Sequence, residues 1–136
     1  MASKIYFAAP LFDDMELRRN LEECKKLEEA GYIVFLPQRD AGEAAEGVDR
    51  NQLFKSDVTH VQSCDVLIAY IDGRVPDEGT VFEIGMAYAL NKVIILIRTD
   101  RRSFMEGHLN VMLEGAGYIV SSTEEAIKHM EDICNG

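Results

Sequence analysis

Between Val81 and Leu90 almost every residue is apolar or small, and the one carboxylate among them is Glu83. An ionised carboxylate in apolar surroundings is costly unless something pairs with it or a ligand faces it. Two further acids are spaced to join it. Asp77 precedes it by six residues on the loop that opens the same helical pattern, and Asp57 lies eight residues before Asp65 on the segment feeding the next strand. Tyr6, in "KIYFAA", supplies a hydroxyl on a neighbouring strand. Taken singly, each has an ordinary use as a solvated acid, a helix-dipole partner or a core Tyr. Three carboxylates and a Tyr around one crevice describe instead a ligand-facing site that carries negative charge.

The elements that must position these residues alternate along the chain. "KIYFAA" reads as a first strand, "DDMELRRNLEECKKLEEAG" as an amphipathic helix with Leu17, Leu21, Cys24 and Leu27 along one face and Gly31 as its stop, and "YIVFLP" as strand two. A polar loop, "AGEAAEGVD", leads to a helix around Asn51 to Gln62. "DVLIAYID" is a third strand whose unbroken apolarity predicts burial on both faces. "GTVFEIGMAYALNK" is a helix, "VIILIR" strand four and "GYIV" a short strand five. "STEEAIKHMEDIC" is a last helix capped by Ser122 or Thr123. Right-handed crossovers then give an α/β fold, a doubly wound, parallel five-stranded sheet in a flavodoxin-like or Rossmann-like three-layer sandwich, with residues 1–136 as one domain. In the flavodoxin-like order the ligand crevice lies between strands one and three, where "AAPLF" and "DGRVPDEGT" would meet. Glu83 would face that crevice from near a helix N-terminus, which favours its ionised form.

Composition narrows the partners. With a formal net charge of -10, the chain lacks the clustered cations that displace counterions from a phosphate backbone, so nucleic acid is not expected. The opening "MASKIYFAAPLF" has no long apolar core, and no apolar run reaches the length of a membrane span. The expectation is a cytoplasmic protein without a membrane partner. Cys24, Cys64 and Cys134 are scattered and odd in number, which fits reduced packing residues. His60, His108 and His129 have no metal-ligand spacing, and no P-loop or GxGxxG loop is present, so neither metal nor cofactor is expected.

Four pieces in order, "KIYFAAPLF", Asp57 followed by "CDVLIAYI", "DEGTVFEIGMAYAL" and "LNVM", make the chain similar over nearly its whole length to the nucleoside 2-deoxyribosyltransferase family. The resemblance implies an enzyme that exchanges purine or pyrimidine bases on 2′-deoxynucleosides with retention. In that reading Glu83 is the nucleophile, Tyr6 holds it, and Asp57 and Asp77 contact base and sugar. Asp57 is the first choice for proton transfer to the base, although the two acids could exchange duties. Asn110 would come from a neighbouring subunit to the sugar's 5′-hydroxyl, with Met112 closing over the sugar beside it. A homo-oligomer with shared active sites follows, built on dimers, with tetramer and hexamer both open.

The remaining residues have two uses each. Phe12 could stack on a base or lid the core. Gln38, with Arg39 and Asp40, could read the base edge after strand two. Arg101 and Arg102 read as a solvated turn, and "GEAAEG" as a flap or a plain loop. The nearest alternative activity is a 2′-deoxynucleoside 5′-monophosphate N-glycosidase, which shares the Tyr, Asp and Glu pattern and uses water as acceptor. The acid at Asp77 and the amide at Asn110 lean toward the transferases. A signalling receiver would need an acidic pair after strand one and a Lys after strand five, and "YFAAPL" and "GYIVSS" provide neither.

Overall fold

A computed structural model describes residues 3–42, 45–100 and 108–135. Arg101, Arg102 and part of "GEAAEG", namely Glu43 and Ala44, lie outside the described residues. The elements run β1 (Lys4–Ala8), α1 (Asp14–Glu29), β2 (Ile33–Phe35), α2 (Pro37–Asp40), α3 (Arg50–Ser63), β3 (Val66–Tyr70), α4 (Glu78–Ala89), β4 (Val93–Ile97), α5 (Val111–Ala116), β5 (Tyr118–Val120) and α6 (Thr123–Asn135). The five strands form one parallel sheet in the order β2-β1-β3-β4-β5, the expected doubly wound arrangement.

Because successive residues of a strand point to opposite faces, the sheet sorts its side chains into two cores. Ile5, Phe7, Ile68 and Ile95 meet Cys24 and Leu27 of α1 and Ala126 and Met130 of α6. Tyr6, Ala8, Leu67 and Leu96 meet Val61 of α3, Ile84 and Ala87 of α4 and Leu113 of α5. All of β3 is buried, as a central parallel strand covered on both faces must be.

Sequence and structure part company in several places. In α1, Leu21 is 47% exposed and Asn20 is buried in its stead. The Asn20 amide escapes the cost of burial because its Nδ2 donates to the Pro10 carbonyl at 3.0 Å and to Gln38 Oε1 at 2.9 Å. Pro37 opens the one-turn helix α2 and does not close strand two, since a residue without an N–H and with φ already near the helical value suits a first helical position. The other unexpected element is α5, a helix of 6 residues capped by Asn110, whose side chain accepts from Met112 N. It ends on Gly117, where a Cβ would come within 2.7 Å of Ile94 Cγ2 and 3.0 Å of Ile94 O, so a residue without a side chain lets the chain pass this close to β4. Ser122 is the cap of α6, accepting from Glu125 N, while Ser121 and Glu125 close the reciprocal contact. Cys24 and Cys64 are buried and Cys134 is exposed. No helix among the described residues is long and apolar enough to cross a membrane.

Candidate active site

The crevice at the carboxyl ends of β1 and β3 is an open cleft of about 830 Å³, within the usual range for small-molecule sites. Its floor and walls come from the segment after β1, the start of α4 and one face of α3. On α3, Arg50, Leu53, Phe54, Asp57 and Val58 share that face because they recur at helical spacing.

Glu83 lines the cleft from the second turn of α4 and is half-buried. Tyr6 stands beneath it, wholly buried on β1, and its hydroxyl donates to Glu83 Oε2. A buried phenol donating to one carboxylate oxygen fixes the plane of the group at the cleft wall. This pair is the most specific feature of the site.

Asp57 behaves differently. Its Oδ1 is buried and has no hydrogen-bond partner among the described residues. Burial pushes its carboxyl up to about 6 from the usual carboxylate range. An acid that is neutral in mildly acidic solution and orphaned inside a cleft is suited to hand a proton to a ligand and take it back. Asp77 has a structural task as well: its Oδ2 accepts from Thr80 N at 2.9 Å and from Thr80 Oγ1 at 3.0 Å, capping the helix that carries Glu83. One of its oxygens is thereby committed, and Asp57 is the better placed of the two for proton transfer.

Of the other sequence-derived candidates, Phe12 lines the cleft and is 77% exposed. Gln38 does not line it: the amide is held at both ends, accepting from Asn20 and donating to the Leu17 carbonyl at 2.9 Å, and so ties α2 to α1. Asn110 and Met112 also stand away from the cleft lining, at the exposed start of α5. The exposed Asn110 accepts through its Oδ1 from the Met112 N–H at 2.9 Å, capping α5. The structure adds Phe54, Phe82 and Arg50 to the lining. Their signal in the sequence is position: Phe54 and Arg50 fall three and seven residues before Asp57 on one helical face, and Phe82 adjoins Glu83. Among the described residues no group of His, Cys, Asp and Glu is arranged to hold a metal ion.

The sheet order and the Tyr-held carboxylate at its switch point describe an α/β protein with an acidic cleft of a size for a small ligand. Residues 5–130 match the family described as nucleoside 2-deoxyribosyltransferase, and the chain belongs to that family. It is accordingly an enzyme, a pentosyltransferase by family. No curated protein sequence matches the chain. Among solved structures, a conserved protein from Enterococcus faecalis V583 is similar at 26% identity, with a TM-score of 0.81 over 97% of this chain and 99% of its own. The 2-deoxyribosyltransferase of Bacillus psychrosaccharolyticus is similar at 25% identity, with a TM-score of 0.78 over 92% of this chain and 90% of its own. The CMP N-glycosidase of Clostridium botulinum shares the fold at 23% identity, with a TM-score of 0.63 over 94% and 98% of the two chains.

Proposed function

We propose that this protein exchanges nucleobases on 2′-deoxyribonucleosides through a covalent deoxyribosyl ester on Glu83, with retention of configuration. The observation that carries the reading is the Tyr6 hydroxyl donated to Glu83 in the same cleft as Asp57, whose buried Oδ1 has no partner among the described residues. In the first half-reaction the bond from C1′ to the base nitrogen breaks, a Glu83 oxygen bonds to C1′, and the Asp57 proton passes to the departing base. In the second, the acceptor base returns a proton to Asp57, its nitrogen bonds to C1′, and the ester is released. Two substitutions on one carbon restore the starting configuration. Phe12, Phe54 and Phe82, all exposed at the cleft, offer flat apolar surface to a base.

The charge of the cleft favours a nucleoside over a nucleotide. Among the described residues Asp57, Asp77, Glu78 and Glu83 line it against a single cation, Arg50, so a phosphate dianion would enter against the field. Asn110 and Met112 reach sugar in this reading only from a second copy of the chain, in a homo-oligomer with shared sites, because at the exposed start of α5 they do not line their own cleft. The Asn110 N–H groups would then donate to the 5′ oxygen.

Incubation with deoxyinosine plus adenine should yield deoxyadenosine and hypoxanthine, whereas a deoxynucleoside monophosphate should be cleaved far more slowly. Mass spectrometry after a quench without acceptor should find the deoxyribosyl adduct on Glu83. Glu83→Ala should lose turnover by several orders of magnitude with the fold kept. Efficient hydrolysis of the monophosphate with no base exchange would assign the chain to the N-glycosidase activity instead.

A further inference from the structure

The residue that holds Glu83 is itself held from behind. Tyr6 and Phe35 are directly paired in the register of β1 and β2, and their rings stack with centroids 5.5 Å apart at 29°. The Phe35 ring stacks in turn on His60, at 3.7 Å and 10°. His60 belongs to α3, one turn beyond Asp57. Its Nδ1 lies 2.7 Å from the Ser56 carbonyl, a contact in which the nitrogen donates, and this fixes the plane of the ring on its own helix. A row of three rings therefore runs from the strand that orients the nucleophile to the helix that carries the acid.

Val61 is the one residue of α3 that is fully buried, so apolar packing alone anchors this helix sparingly. The half-buried His60 and Phe35 supply a second point of attachment, on the side nearest the site. We propose that Phe35 and His60 are positioning residues of the transfer reaction, their stack on Tyr6 setting the spacing between the Glu83 carboxylate and the Asp57 carboxyl. This rests on the transferase reading above. Neither residue touches substrate; both act through Tyr6 and Asp57. The charged group shown to act on His60 is Asp40 of α2, while Asp57 and Arg50 of α3, Glu78 and Glu83 of α4 and the α4 cap Asp77 line the neighbouring cleft.

The test compares wild type with His60→Ala, Phe35→Leu and His60→Phe in the full chain, by rapid-quench rates of deoxyribosyl-Glu83 formation, KM, the pH profile and thermal unfolding. His60→Ala and Phe35→Leu should slow ester formation by about 10–100-fold with KM little changed, the loss expected when reacting groups are misplaced by a fraction of an ångström to an ångström. The bell of rate against pH should also narrow. A loosened Tyr6 contact stabilises the Glu83 carboxylate less and moves the acid limb up, and a better-hydrated Asp57 moves the basic limb down. His60→Phe keeps a flat ring on Phe35 and should restore most of the rate and the width of the bell. Unchanged rates in folded His60→Ala, a loss that follows only the folded fraction, or no rescue by folded His60→Phe would each overturn the proposal. If Phe35→Leu does not fold, the half-exposed position of His60 still decides the matter through its own two variants. Failure of wild type to form the adduct on Glu83 would overturn the transferase reading and this proposal with it, while adduct in wild type with indifferent variants overturns the stack's role alone.

Discussion

In the proposed reaction the surroundings of Asp57 would serve catalysis at the expense of stability. Its carboxyl is held up at about 6 by burial, with one oxygen unpartnered among the described residues. The folded state therefore binds this proton more tightly than the unfolded chain does, so the stability Asp57 contributes is greatest below the ordinary carboxylate value near 4 and falls as pH rises through about 6. Two consequences can be measured. The rate of base release should be highest on the acidic side and decline as pH rises past about 6, where the donor form disappears. Asp57→Asn should abolish that decline together with most of the turnover, yet stabilise the fold at pH 8 by about 1–2 kcal/mol in denaturant titrations, a figure reduced from the full shift because the group is only half-buried. A variant that is less stable at pH 8 and keeps the wild-type pH profile would show that the buried oxygen is satisfied in some other way.

At the scale of elements, α4 carries Glu83 and begins on Asp77, so the two acids are mechanically linked before any ligand arrives. The Asp77 carboxylate closes the first turn through Thr80 N and Thr80 Oγ1. Asp77→Ala removes both contacts and should cost about 1 kcal/mol of stability, in line with other lost caps. Asp77→Asn retains an acceptor for Thr80 and separates capping from ligand contact. Little change in melting with a clear rise in KM is the expected result for Asn, read by calorimetry and steady-state kinetics. If Asn restores activity as well as stability, the cap is all that Asp77 contributes. Cap and contact are distinguishable here because only Oδ2 is engaged with Thr80.

For the whole molecule, the exposed start of α5 carries the sharpest expectation. Val111 is 75% exposed and Met112 77%, next to an exposed Asn110. Apolar side chains so exposed beside a polar group suit an interface between copies. Mixing inactive Glu83→Ala with inactive Asn110→Ala under conditions of subunit exchange should recover part of the activity, because a mixed pair contains one site with both residues intact. A mixture that stays dead after demonstrated exchange, or an active monomer by sedimentation, would make Asn110 a helix cap and nothing more.

The sequence by itself determined the layers and the parallel, doubly wound character of the sheet. Continuous apolar strands such as "VLIAY" and "VIILI" can be buried only between helices, and parallel connection then leaves few topologies. It also singled out Glu83, because one carboxylate in an apolar helix has few reasons to be there. What it could not decide was how side chains distant in the chain share their hydrogen bonds. Gln38 and Asn20 satisfy each other across 18 residues, which turns a candidate base reader into a brace between helices and puts an amide in the core where Leu21 was expected. The Tyr6 contact with Glu83 spans 77 residues, and the stack behind it draws on a strand and a helix that no local pattern connects. Periodicity reports which face of an element is apolar. Only tertiary packing decides which polar groups on that face find partners and which, like Asp57 Oδ1 among the described residues, do not.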